Sequence, residues 1–273
     1  MRFSVFAALA LVATPAFAQD NSSDNDNDSF TIGVGAATVP RYEGADENTI
    51  IPAAAIRGSF NGISFSTVGT ALYTDLIPGP SGVGTDFILG PIVHVNLNRT
   101  SRKRIRDPQI IALGKIDTAI EVGADIGIKR TGVITSDFDS ISFDVAVLRD
   151  VTNTHDSWII TPTLAYATPL SETIYVGVSV AANHVGNGYG RTYFGVTAPQ
   201  SVASGLPVYN PGKGWKDINF GALANFSLSG DLRKGLSLFA IGNYERLLGD
   251  FKRSPVVRDR DQWFGGVGLA YTF

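Results

Sequence analysis

The stretch Trp263-Phe-Gly-Gly-Val-Gly-Leu-Ala-Tyr-Thr-Phe273 decides the fold. With a two-residue period, one side carries Trp263, Gly265, Val267, Leu269, Tyr271 and Phe273, and the other Phe264, Gly266, Gly268, Ala270 and Thr272. Such alternation marks a strand whose two faces meet different surroundings. The first face has an aromatic at each end and aliphatic or small residues between. From Trp263 to Phe273 an extended chain rises roughly 33 Å. Tilted by about 45°, it climbs roughly 24 Å, close to the ~25 Å apolar band of a membrane barrel. Aromatic rings suit the two rims of that band, where one edge stays wet.

Working outward, the same period recurs along the chain. In Ile116–Lys129, Ile116, Thr118, Ile120, Val122, Ala124, Ile126 and Ile128 form one face, opposite Asp117, Ala119, Glu121, Gly123, Asp125, Gly127 and Lys129. A soluble sandwich seldom sustains an apolar face this long against four ionisable groups, whereas lipid outside and a polar lumen inside require it. Ile141, Phe143, Val145 and Val147 against Ser142, Asp144 and Ala146 repeat the pattern. Further strands are predicted at Phe30–Ala36, Ile51–Arg57, Ile63–Tyr73, Phe87–Leu97, Trp158–Ala167, Thr173–Ala182, Asp217–Leu228 and Leu236–Tyr244. Short turns fall around Asn61, around Ser171 and at Ser229–Gly235. This reading yields eleven strands where bacterial barrels have an even number. The missing one is most simply Ile105–Leu113, giving a closed antiparallel transmembrane β-barrel of twelve strands, with ten or fourteen as alternatives. Val267, Leu269, Tyr271 and Phe273 resemble the C-terminal insertion signal of Gram-negative outer-membrane barrels, which the barrel-assembly machinery reads.

The beginning of the chain gives the address. Arg2, an apolar run from Phe3 to Ala13 and Ala16-Phe-Ala18 before Gln19 make residues 1–18 a secretory signal peptide cut between Ala18 and Gln19. Residues 19–29 (QDNSSDNDNDS) form a polar, acidic lead-in that is expected to be disordered. Asp24, Asp26 and Asp28 are spaced like calcium ligands, but the glycine and distal glutamate of such a loop are missing. The barrel itself occupies 30–273. Removal of Arg2 takes the formal charge from −3 to −4. No cysteine is present, so disulfides and thiolate metal sites are excluded. A closed barrel needs no such staple, because every strand edge is paired.

Chemistry is sparse. His94, His155 and His184 are the only histidines, and none sits in a nucleophile-elbow or metal-spaced motif. His94 is expected in the lumen with Asn96, the others in or beside loops. No catalytic residue, metal site or cofactor is expected. Asp117, Glu121, Asp125, Lys129 and Asp144 form a charged lumenal face, suited to internal ion pairs or to favouring cations in a pore. Arg99, Arg102, Lys103, Arg104 and Arg106 crowd the segment 98–106. Facing outward it can hold lipid phosphates, and facing inward an acidic partner; a solvated loop is the simpler reading. Nucleic acid is excluded by location. Tyr42, Trp158, Tyr166, Tyr175, Trp215 and Tyr244 are expected in a rim belt in contact with outer-membrane lipid.

The long segment Gly186–Gly214 contains Tyr193-Phe194-Gly195-Val-Thr197, Gln200-Ser201, Ser204-Gly205-Leu206-Pro207 and Tyr209. These resemble the signature region of the MipA/OmpV family of outer-membrane proteins. Tyr42-Glu-Gly-Ala-Asp46, Gly114-Lys-Ile-Asp117, Glu245-Arg-Leu-Leu-Gly-Asp250 and Ser254-Pro-Val-Val257 extend the likeness over nearly the whole mature chain. The resemblance implies a barrel in the Gram-negative outer membrane, reached through the periplasm. It implies two roles: a non-enzymatic scaffold bridging a lytic transglycosylase and a murein synthase, or an osmotic or stress-responsive protein, including a narrow passive channel. Scaffolding leads, with the channel and a lipid-modifying enzyme as rivals.

Overall fold

In a computed structural model, described over residues 28–80 and 82–273, the chain closes into a barrel of twelve antiparallel strands. They are β1 Ser29–Pro40, β2 Asn48–Phe60, β3 Ile63–Val68, β4 Ala71–Asp75, β5 Gly84–Asn96, β6 Ala119–Thr131, β7 Ser140–Asp150, β8 Trp158–Pro169, β9 Ile174–Val185, β10 Gly214–Ser227, β11 Gly235–Leu247 and β12 Asp261–Thr272. Each strand pairs with its sequence neighbours, and β12 returns to β1 in a register that sets Ile32 opposite Tyr271 and Gly35 opposite Gly268. At that seam a Cβ on Gly35 would lie 2.2 Å from the Val267 carbonyl, so only glycine lets the two backbones approach this closely. The expected signal peptide and most of the expected acidic lead-in lie outside the described residues.

The strand count agrees with the expected twelve, but the missing strand is not Ile105–Leu113. The run Ile63–Tyr73 is two strands, reversed at Gly69 and Thr70, with Gly69 at φ +58°. Ile105–Leu113 instead carries a short helix, Pro108–Ala112, capped by Asp107, whose carboxylate accepts from the amides of Gln109 and Ile110. Proline at the first helical position and aspartate before it specify that start. Ser59-Phe-Asn61-Gly62 does turn the chain: Asn61 and Gly62 both take positive φ, as a two-residue hairpin of this hand demands.

The connections divide between two ends. Segments 61–62, 76–83, 132–139, 170–173 and 228–234 lie at the end that also holds Ser29 and Phe273, here the terminal end. Segments 41–47, 69–70, 97–118, 151–157, 186–213 and 248–260 lie at the other, the loop end.

The two faces of the wall differ as the periodicity demands. On β6, Ile120, Val122, Ile126 and Ile128 point outward and are 39–61 % exposed, while Glu121 and Asp125 are buried inside. On β12, Trp263, Val267, Leu269 and Tyr271 are all outward and exposed, as is Phe273 just beyond it. Outward Phe87, Phe143, Leu164, Val178, Phe220 and Leu238 continue the belt. An exposed apolar surface of this extent needs a non-aqueous neighbour. The wall is built to stand in hydrocarbon.

The rim is partly as expected. Trp158, Tyr166, Trp215 and Tyr244 lie on the wall, and Tyr244 packs 4.7 Å from Trp263. Tyr42 and Tyr175 do not join them. Tyr42 is 5 % exposed within a cluster of loop residues, and Tyr175, 3 % exposed, points into the lumen.

Ile126 is near mid-strand, so Ile126→Arg is expected to cost about 2–4 kcal/mol of stability in a bilayer, with Ile126→Leu close to neutral. Denaturant unfolding of the chain in phosphatidylcholine vesicles measures both.

Candidate functional site

The loop end is covered by a folded lid. Its first cluster joins Tyr42, Ala45, Ile105, Ile110, Leu113, Val196, Leu206 and Val256, drawn from four separate loops. A second places Tyr189, Tyr193, Phe194 and Phe251 against lumenal Ile92, Leu148, Ile159 and Val185. Phe194 and Phe251 meet edge to face at 5.3 Å. The family-like stretch is the frame of this lid. Thr197 and Gln200 form a reciprocal capping box that starts the helix Ala198–Ser204, and Gly205 ends it at φ +73°. Ser201 sits within that helix, whose carbonyl accepts from the Gly205 amide, and Pro207 follows buried Leu206. Gln200 Nε2 donates to the Leu113 carbonyl at 2.9 Å, and Gln109 Nε2 to that of Ser204 at 3.1 Å. Gly195 fits where a Cβ would sit 2.3 Å from the Arg191 carbonyl.

Ion pairs lock the loops together. Arg258 Nε donates to Asp107 at 2.6 Å and its Nη2 to Gln109 Oε1 at 2.8 Å. Burial alone would raise the Asp107 pKa, but Arg258 and the two helix amides outweigh it and hold the carboxyl below its ordinary value. The basic segment is split. Arg99 is buried and donates to the Tyr193 carbonyl at 3.3 Å, while Arg102, Lys103 and Arg106 are exposed at the loop end. Part of the segment is thus lid structure.

Beneath the lid the lumen is crossed by buried charge. Glu121, wholly buried on β6, faces two histidines: His94 Nδ1 at 2.6 Å and His155 Nε2 at 3.0 Å, with Asn96 Nδ2 donating at 3.0 Å. The His155 ring packs 5.3 Å from Tyr189 and 5.8 Å from Tyr193. Tyr189 donates to Glu43 at 3.1 Å, linking this cluster to a second. There Lys216 is paired with Glu43, with Asp217 at 2.7 Å and with Glu245 at 3.6 Å. Asn183 and Asn219 donate to Asp217 at 2.8 and 2.6 Å, and Asn98 donates to Glu43 at 3.1 Å. Burial pushes the Glu43 carboxyl above its ordinary value despite the lysine. Three carboxylates crowd one ammonium, which leaves an excess of negative charge in a dry place.

Glu43, Asp217 and Glu245 bring oxygens within 4.8 Å of one another, a spacing that could suit a metal ion. Lys216 Nζ already stands among them, and a cation there would meet its charge at contact distance. The set is read as a lysine-centred network.

The charged residues singled out in the sequence are distributed along the lumen. Glu121 belongs to the histidine cluster, Lys129 pairs with Asp86 at 3.8 Å, and Asp125 and Asp144 are buried further down the wall. Asp117 is not on this face: it precedes β6, is exposed, and pairs with Lys115 at 2.9 Å. His184 stands outside the barrel, stacked on Trp158 at 5.1 Å and meeting Trp215 edge to face at 5.0 Å. Lys216 and Glu43 were not anticipated. A register shift between Trp215 and Asp217 turns both Lys216 and Asp217 inward, which no two-residue alternation foretells.

Wall, closure and polar lumen define an outer-membrane type of β-barrel. The sequence profile of the family described as "MltA-interacting protein MipA" matches residues 32–273, and the chain belongs to that family. No curated protein sequence matches the chain. Among solved structures it is similar to an outer membrane channel from Pseudomonas putida F1 at 9 % identity and a TM-score of 0.41, over 92 % of this chain and all of that one. It is also similar to OccAB3 of Acinetobacter baumannii at 9 % identity and a TM-score of 0.40, over 92 % of this chain and 66 % of that one.

Lys216→Met leaves its carboxylates without a cation and is expected to cost about 3–5 kcal/mol, freeing the lid so that trypsin cuts faster at Lys103. Glu43→Gln removes one of the excess negative charges and is expected to change stability by less than about 1 kcal/mol. Proteolysis and thermal unfolding of the two variants test this asymmetry. Because the Asp107 pKa is depressed in the fold, its contribution is present above the unfolded value near 3.9 and is lost as pH falls through the folded one. Lid opening, read by proteolysis with an acid-stable protease, should therefore rise below about pH 4, and Asp107→Asn should weaken that dependence.

Proposed function

We propose that this protein is a non-enzymatic scaffold of the Gram-negative outer membrane, closed to passive flow at its loop end. In this reading the signal peptide directs it to the periplasm, and Val267, Leu269, Tyr271 and Phe273 are presented to the assembly machinery. The loop end faces outward and the terminal-end turns face the periplasm, where they hold a lytic transglycosylase beside a murein synthase. The observation that carries the reading is the lid: a packed core seated on a lysine-centred network occupies the mouth that a passive pore would need open. The family's own description as an MltA-interacting protein supports the partner class. A catalytic role finds little support, since Glu121 engages two histidines at once and His155 Nδ1 has no partner to activate.

Two measurements test the halves separately. In planar bilayers the intact protein is expected to show no steady conductance; sustained single-channel steps that vanish in Asp125→Ala would instead establish the channel reading. Immobilised in detergent, the folded barrel should retain murein-cleaving and murein-polymerising enzymes from a native envelope extract, and retention of neither would overturn the scaffold.

A further inference from the structure

The terminal half of the lumen holds a cavity that neither the lid nor the charge network uses. Its walls come from six strands and one turn, among them Arg57 on β2, Tyr175 on β9, Leu223 and Asn225 on β10, Leu232 from the turn 228–234 and Phe239 on β11. The lining is mostly apolar. Leu232 is only 5 % exposed although it belongs to a surface turn, because it folds back against Tyr175 and Leu223. The Phe239 ring lies over glycines: a Cβ on Gly33 would meet it at 3.3 Å and one on Gly268 at 2.6 Å. The two glycines thus leave the ring room to form part of the wall.

Two polar groups in this apolar setting are unsatisfied. The Tyr175 hydroxyl is buried and has no hydrogen-bond partner, and the same holds for the Asn225 Oδ1 atom. Buried hydroxyls are ordinarily paired, so an orphan facing a cavity points to a guest that accepts from it. The Arg57 guanidinium lines the same cavity as Tyr175 and favours an anionic guest. Low-dielectric walls strengthen its attraction for an anion and exclude a cation. Turned about its amide, Asn225 can also offer a donor.

Size narrows the class. The cavity measures about 50 Å³, room for roughly three to five water-sized groups at ~10–15 Å³ each. Inorganic phosphate fits by volume, but it would strand its remaining oxygens against Leu223, Leu232 and Phe239. We propose that this cavity is a binding site for a short aliphatic monocarboxylate of two to four carbons. Its carboxylate accepts from Arg57 and Tyr175, and its alkyl end lies against Leu223 and Leu232. The site stands independently of the scaffold reading, since it lies in the lumen and needs no protein partner.

The test is saturation-transfer NMR with propionate on the full chain folded in detergent. Propionate is expected to bind saturably, while n-propanol, propylammonium and inorganic phosphate do not displace it. Tyr175→Phe, which removes only the hydroxyl, is expected to weaken binding about tenfold, and Arg57→Gln to abolish it. Leu232→Ala, which shortens the apolar wall of the cavity, should shift preference from propionate towards longer acids. Propionate binding unchanged in Tyr175→Phe, equal competition by propanol or by phosphate, or no saturable binding at all would each overturn the assignment.

Discussion

A peptide group surrounded by hydrocarbon has only other peptide groups to bond to, and each one left unpaired costs several kcal/mol. The return of β12 to β1 is therefore the contact on which the molecule rests. It removes the last free edge and fixes an inside and an outside. Once that division exists, side chains sort by position alone: Ile126 and Val267 outward to the apolar phase, Glu121 and Gln262 inward. The seam tolerates little bulk, as the close pairing of Gly35 with Gly268 shows.

Enclosure then creates its own electrostatic problem. The lumen beneath the lid excludes enough water that Lys216, Asp217, Glu245 and Glu121 are almost entirely buried. Such groups persist only with opposite charge and hydrogen bonds arranged around them. Glu43, carried by the first loop-end segment, completes that arrangement from 173 residues away in sequence. The lid and the network are thus one construction: the loops supply a counter-ion and the Tyr189 hydroxyl, and the strands supply the ammonium.

The wall was legible because a strand between two unlike media repeats every two residues. Ile120 to Ile128 announces its lipid face without reference to anything else in the chain. Reading failed where that repeat continued through a turn or broke inside a strand. Ile63 to Tyr73 looks like one strand because Gly69-Thr70 carries no strong turn pair, and the error displaced the missing strand onto Ile105–Leu113. The inward pair Lys216 and Asp217 depends on a bulge, so alternation misplaces one of them. The lid was accessible only in part. Asp107-Pro108 and Thr197-Ala-Pro-Gln200 carry helix-start signals, but the strand reading runs past the first and the second is matched only as a family-like stretch. Which loops those helices join depends on contacts far apart in sequence, as does the lumenal place of Tyr175.

Because its loops are gathered from residues 42 to 258, the lid cannot assemble on any partial sheet. Bringing Glu43 to Lys216 demands that most of the wall already be in place, and the entropy of closing so long a segment is recovered only then. Until the wall has closed and the loops have met, Glu121 and Lys216 lack the partners that the folded interior gives them. Drying of the interior thus comes from closure of the wall together with docking of the lid, and from neither alone.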